Sequence, residues 1–120
     1  MAITVILWID NLFSRAQLQQ KLVHGVSDVQ ATSSGEEAFS ILRENPQAIA
    51  FIDAENHSLP SNFWEIVKPF AQRVVLYYPH VRTEIVHQAK GAGIRHVYPR
   101  SQVFKNPGGI LERLQEEKAE

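Results

Sequence analysis

Two runs of five apolar residues, Val5-Ile6-Leu7-Trp8-Ile9 and Ala48-Ile49-Ala50-Phe51-Ile52, each stop at an aspartate, Asp10 and Asp53. Short apolar runs bounded by polar residues read as strands buried on both faces, the kind that make parallel sheets. Parallel strands need long crossovers, usually helices, so this pattern restricts the chain to an α/β architecture. A carboxylate just past such a strand lies at the carboxyl edge of the sheet, where open α/β folds place their ligands. If the two strands are neighbours, both carboxylates converge on one crevice.

The rest of the chain alternates in the same way. Leu12 to Val23 reads as a helix, with Leu18 and Leu22 four apart and Gly25 beyond its end. Val26 to Ala31 reads as a second strand. Ser34-Gly35-Glu36-Glu37 is a capping box opening a helix that carries Ala38, Ile41 and Leu42 inward and ends before Pro46. The Asp53 strand is followed by a loop through Pro60 and a helix holding Phe63, Trp64, Val67 and Phe70. Arg73 to Tyr77 is a fourth strand, Arg82 to Lys90 a helix stopped by Gly91-Ala92-Gly93, and Ile94 to Tyr98 a fifth strand. Ile110 to Glu117 closes the chain as a helix with Ile110, Leu111 and Leu114 facing in. Five strand–helix units imply a parallel sheet with helices on both faces, in one domain spanning residues 1–120.

Twelve Lys and Arg against thirteen Asp and Glu, mixed along the chain, leave no basic cluster for nucleic acid. The absence of cysteine removes thiolate zinc sites and thiol redox chemistry and agrees with a cytoplasmic location. The N-terminal apolar stretch breaks at Asp10, so it predicts neither a signal peptide nor a membrane span.

Four segments, in order and spacing, resemble the receiver domain of two-component response regulators. They are Ile6-Leu7-Trp8-Ile9-Asp10-Asn11 with Ser14-Arg15, Ser34-Gly35-Glu36-Glu37-Ala38, Phe51-Ile52-Asp53 with Pro60, and Ala89-Lys90-Gly91-Ala92-Gly93 with Val97. The resemblance covers nearly the whole chain. It implies a flavodoxin-like, doubly wound (βα)5 fold with strand order 2-1-3-4-5, which sets the Asp10 and Asp53 strands side by side. It also implies a phosphoacceptor aspartate, a magnesium ion held by carboxylates, a hydroxyl near the phosphoryl group and a lysine that neutralises it. A cation is needed because a carboxylate attacks an anionic phosphoryl donor only when both charges are screened.

Carried over by position, that site is incomplete. Asp53 stands at the phosphoacceptor position and Asp10 at the second of two adjacent acidic positions; the first is Ile9. Tyr78, preceded by Tyr77, stands where a small hydroxyl residue is expected, and either fills the phosphate pocket or swings outward. Arg100 takes the lysine position, either as a solvated residue or as a pocket cation bridging Asp53 directly. Glu55 is a candidate to compensate for the missing acid. By the same resemblance, the Gln102-Val103-Phe104-Lys105-Asn106 loop is about three residues longer than the family pattern. The expected magnesium site is weak, and Ile9→Asp is expected to strengthen it.

The leading reading is a stand-alone, pseudo-receiver-like module that acts by protein–protein interaction, with weakened or absent phosphorylation. The alternative is a working single-domain regulator that accepts phosphate on Asp53 with magnesium from a histidine kinase. Family analogy puts the partner surface at about Arg82 to Leu114, with Val97 and Tyr98 in its strand. The partner is a histidine kinase or a downstream effector, and the chain a monomer or weak homodimer. Signals then pass by contact, or the chain is a fragment of a longer protein. An enzyme is disfavoured. An aspartate-nucleophile phosphatase wants a second Asp where Leu12 stands, a metal nuclease wants three or four clustered acids, and a nucleotide site wants a Gly-rich turn that Asp10-Asn11-Leu12-Phe13 lacks. His57 and His80 near Asp53 make only a weak metal reading, since no two histidines have helical ligand spacing.

Overall fold

In a computed structural model describing residues 3–22, 26, 28–79 and 83–119, the strands are β1 (Thr4–Trp8), β2 (Asp28–Thr32), β3 (Ile49–Asp53), β4 (Val74–Tyr78) and β5 (His96–Pro99). They form one parallel sheet in the order β2-β1-β3-β4-β5, the expected topology. The helices are α1 (Leu12–Leu22), α2 (Gly35–Glu44), α3 (Phe63–Val67), α4 (Thr83–Gly91), α5 (Arg100–Lys105) and α6 (Pro107–Ala119). The expectations that rest on Val23, Gly25, His80 and Arg82 lie outside the described residues.

Alternation along the strands divides the core. Ile6, Trp8, Ala50, Ile52, Val74 and Leu76 pack with α2, α3 and α4. Val5, Leu7, Phe51, Val75 and Tyr77 pack on the opposite face with Leu18 and Leu22 of α1, Val103 and Phe104 of α5, and Leu111 and Leu114 of α6. Both faces of the central strands are therefore covered, as their near-continuous apolar sequence requires.

Several local expectations are corrected. The capping box forms by half: Ser34 Oγ accepts from the Glu37 amide at 3.3 Å, but the Ser34 amide donates to Thr32 Oγ1 at 3.0 Å. In α2 the fully packed residues are Ala38, Phe39 and Leu42, with Ile41 only half-buried. The helix expected to run from Phe63 through Phe70 stops at Val67 and continues as a 3-10 helix over Lys68–Arg73. Pro69 explains this, having no amide to donate to the preceding turn. Arg73 is consequently not in β4; its guanidinium donates to the carbonyls of Leu42, Asn45 and Ala48 and closes the end of α2. The supposed long loop over 102–106 is mostly helix α5, and the last helix begins at Pro107, earlier than expected. Asn106 Oδ1 caps the new helix by accepting from the Gly109 amide at 3.0 Å, with Pro107 at a first-turn position that needs no donor.

Trp8 sets the packing beneath the carboxyl edge. It is fully buried, meets Phe39 and Phe63 edge-on at ring separations of 5.4 and 5.8 Å, and lies directly under Gly35. A Cβ at position 35 would sit 2.6 Å from Trp8 Cζ2, so only glycine lets α2 approach this closely. Gly35→Ala is therefore expected to destabilise the protein by about 1–3 kcal/mol, the usual cost of overpacking. Urea denaturation measures this, and an unchanged midpoint would show that the indole moves aside freely.

Candidate functional site

The site is built at the carboxyl edge, where adjacent β1 and β3 end. A cleft of about 490 Å³ there is lined by Asp10, Asn11, Ser14, Asp53, Glu55, Asn56, His57, Pro79 and Arg100. Asp10 and Asp53 thus share one crevice. Glu55 stands exposed at its rim, and its amide donates to Asp53 Oδ1 at 2.9 Å. Asp10 Oδ2 accepts from the His57 amide at 2.8 Å, so the loop after β3 is tied to the first carboxylate.

Asn56 ties this loop to the tip of β1. It is 6% exposed; its Nδ2 donates to the Trp8 carbonyl at 3.1 Å and its Oδ1 accepts from the Ser58 amide and hydroxyl. Trp8 Nε1 donates to Ser58 Oγ at 2.6 Å and closes the network. On the other side, Asn11 Oδ1 caps α1 by accepting from the Ser14 amide at 2.9 Å, and Arg15 reaches back to the Ile9 carbonyl. Asn56 and Ser58 carry no apolar periodicity and so leave no signal in the sequence, whereas Asn11 stands immediately before a helical run.

Ile9 cannot be the missing acid of the cleft. Its side chain is fully buried in the core on the α1 side, and the cleft-lining neighbour of Asp10 is Asn11. Ile9→Asp would place a carboxylate in that core rather than strengthen a cation site, a costly burial without a partner.

Arg100 begins α5 and does not bridge Asp53. Its Nη2 donates to the buried Ser14 Oγ at 2.8 Å, and its guanidinium lies 4.0 Å from the centre of the Phe104 ring. It acts on the carboxylate through space only. Tyr78 does not line the cleft: it is half-buried against the core on the α2–α4 side, and Pro79 occupies the rim. Tyr77 points to the other face, fully buried and edge-on to Phe104 at 5.4 Å, with no hydrogen-bond partner for its hydroxyl. Burial first, and the Asp53 charge second, push the Tyr77 phenol well above its ordinary range. Val97 and Tyr98 are both half-buried; Tyr98 is held by a 2.8 Å hydrogen bond between its hydroxyl and His96 Nδ1. His96 Nε2 in turn pairs with Glu117 at 2.8 Å, which holds that carboxylate below its usual range.

Burial raises the Asp53 pKa above its ordinary value; the Glu55 amide opposes that, the Glu55 and Asp10 charges add to it, and Arg100 opposes it from a distance. Asp53 is thus a strained anion, ready to gain from a cation or a proton. Among the described residues, no three acidic or histidine side chains are grouped as a metal-binding set. No described helix is long and apolar enough to cross a membrane.

No protein-family model matches the chain, and no curated protein matches it. Solved structures do. A response regulator from Thermotoga maritima is 15% identical with a TM-score of 0.70, covering 97% of each chain. The N-terminal signal receiver domain of a two-component response regulator from Bacteroides fragilis is 20% identical at a TM-score of 0.69, covering 88% of this chain and 93% of that one. A response regulator receiver protein from Pseudoalteromonas atlantica is 14% identical at 0.70, covering 97% and 98%. The chain has the receiver-domain fold.

Asp53→Asn should raise the thermal midpoint at about pH 7, because it removes a desolvated charge and keeps an acceptor for the Glu55 amide. With its folded pKa above 3.8, Asp53 binds its proton more tightly in the native state than in the unfolded chain. Its contribution to stability therefore declines as pH rises through the window above 3.8, and the advantage of the Asp53→Asn variant should shrink as pH falls back through it. Thermal melts of both proteins across this range provide the check; a variant melting no higher at neutral pH contradicts the assignment.

Proposed function

We propose that the protein is a cytoplasmic, receiver-like signalling module that works by protein–protein contact, with phosphorylation of Asp53 weakened or absent. The observation that carries this reading is the burial of Ile9 in the core, which leaves Asp10 and Asp53, with Glu55 at the rim, as the carboxylates lining the cleft. Asp10 Oδ2, Asp53 Oδ1 and Asn11 Oδ1 each already accept a backbone N–H. Each of these oxygens has a second lone pair and each carboxylate a second oxygen, so both aspartates can still ligate. Magnesium's octahedral shell would nevertheless have few protein oxygens to draw on here. Asp10 and Asp53 would hold the ion, which would supply charge neutralisation for an incoming phosphoryl group.

Arg100 strengthens the same reading, since its bond to Ser14 and its stacking on Phe104 hold it back from Asp53. Tyr78 packs among core residues, so a hydroxyl that follows the phosphoryl group is not available from that position. The module is not proposed to be an enzyme, and its partner is a kinase or an effector protein.

The second reading is a working regulator that takes phosphate on Asp53, favoured by the openness of the cleft and the strained state of that carboxylate. Incubation of the whole chain with acetyl phosphate and magnesium, followed by intact-mass measurement, separates the two. Little or no phosphoryl gain is expected. Stoichiometric gain that disappears in Asp53→Asn would overturn the first reading in favour of the second.

A further inference from the structure

Among the described residues the exposed large apolar side chains are Leu12 and Phe13, 72% and 84% exposed, and they are neighbours. Single exposed apolar residues are ordinary, but an adjacent pair at one functional edge calls for a reason. Folding does not supply it. The buried face of α1 is made by Ser14, Leu18 and Leu22, and neither Leu12 nor Phe13 contributes to it. The pair forms the first turn of α1 between Asn11 and Ser14, both of which line the acidic cleft.

Among the described residues, the one Lys or Arg lining the cleft, Arg100, is held away from its carboxylates by Ser14 and Phe104. Asp10 and Asp53 face the cleft, and Asp53 is partly desolvated and repelled by Asp10. A cation placed between the carboxylates would relieve both burial and repulsion. A Lys or Arg head brings its own hydrogen-bond donors and needs no octahedral shell of oxygens.

We propose that the first turn of α1 and the adjoining cleft form a docking surface for a partner protein's segment that presents a Lys or Arg flanked by apolar residues. The apolar neighbours cover Leu12 and Phe13, and the cationic head enters between Asp10 and Asp53. A second copy of this chain fits less well, because a two-fold contact through this edge would bring Asp10 and Asp53 towards the same residues of the copy. The inference rests on the reading that the chain works by protein contact, and it moves that contact from the α4–β5 side to the cleft edge.

The test pans a random peptide library against the whole chain and measures the enriched peptides by fluorescence anisotropy. The targets are the parent protein, Leu12→Ser, Phe13→Ser, Asp10→Asn and, on the opposite surface, Lys90→Glu. Asp10→Asn keeps an acceptor for the His57 amide while removing charge. Circular dichroism of each variant confirms that the fold is retained. The expected peptides carry a basic residue beside apolar ones. Their affinity falls by about tenfold or more in Phe13→Ser, as for a truncated aromatic anchor, and falls with salt. Affinity also drops in Leu12→Ser and Asp10→Asn and is unchanged in Lys90→Glu. Peptides without a basic residue, peptides indifferent to Leu12 and Phe13, or no enrichment at all overturn the proposal. Peptides weakened only by Lys90→Glu overturn it while leaving the contact reading intact, whereas stoichiometric phosphorylation of Asp53 removes that reading itself.

Discussion

Asn56 holds the loop after β3 against the tip of β1, and the form of the cleft follows from that one buried amide. Its donor reaches the Trp8 carbonyl and its acceptor takes both the amide and the hydroxyl of Ser58. Loss of this side chain would strand several buried polar groups, each a cost of about 1–3 kcal/mol when left unpaired. The same latch fixes the Trp8 indole from above through Ser58 while Gly35 and the Phe39 and Phe63 rings fix it within the core. Core packing and cleft geometry are therefore one problem, joined at Trp8.

The latch has an electrostatic consequence. With the loop held down, the His57 amide lies on Asp10 and the Glu55 amide on Asp53. Backbone donors stabilise each carboxylate without neutralising either, so the pair keeps repelling and Asp53 remains strained by burial. The one guanidinium that lines the cleft among the described residues is spent on Ser14 and the Phe104 ring. The result is an anionic crevice in which one oxygen of each aspartate is held by a backbone N–H group.

The fold was legible because its signal is hydrophobic pattern. Apolar runs at β1 and β3 and alternating strand–helix units are enough to set a doubly wound sheet, and the order of the sheet followed from the resemblance. Boundaries failed where a single polar or proline residue decided them: Pro69 converting a helix to 3-10 geometry, and Asn106-Pro107 starting α6 early. Asp10, Asp53, Glu55 and Arg100 were legible as residues of the cleft, but the bonds that hold them were not. Ile9 stands at an acidic position of the receiver pattern, but strand alternation turns its side chain into the core, so the cleft position beside Asp10 falls to Asn11. Arg100 has the right charge at the right edge, yet its reach is set by Ser14, eighty-six residues away in sequence. Long-range hydrogen bonds of this kind leave no trace in periodicity.

At the centre of this account stands a cleft in which Ile9 is turned into the core and Arg100 is held by Ser14 and Phe104, leaving Asp10 and Asp53 short of the partners that a metal and phosphoryl group need. A crystal structure grown with magnesium and beryllofluoride tests it most directly. The account predicts electron density for neither ligand, with the His57 amide still on Asp10 and the Glu55 amide still on Asp53. Magnesium bound between Asp10 and Asp53 with beryllofluoride on Asp53 would contradict it.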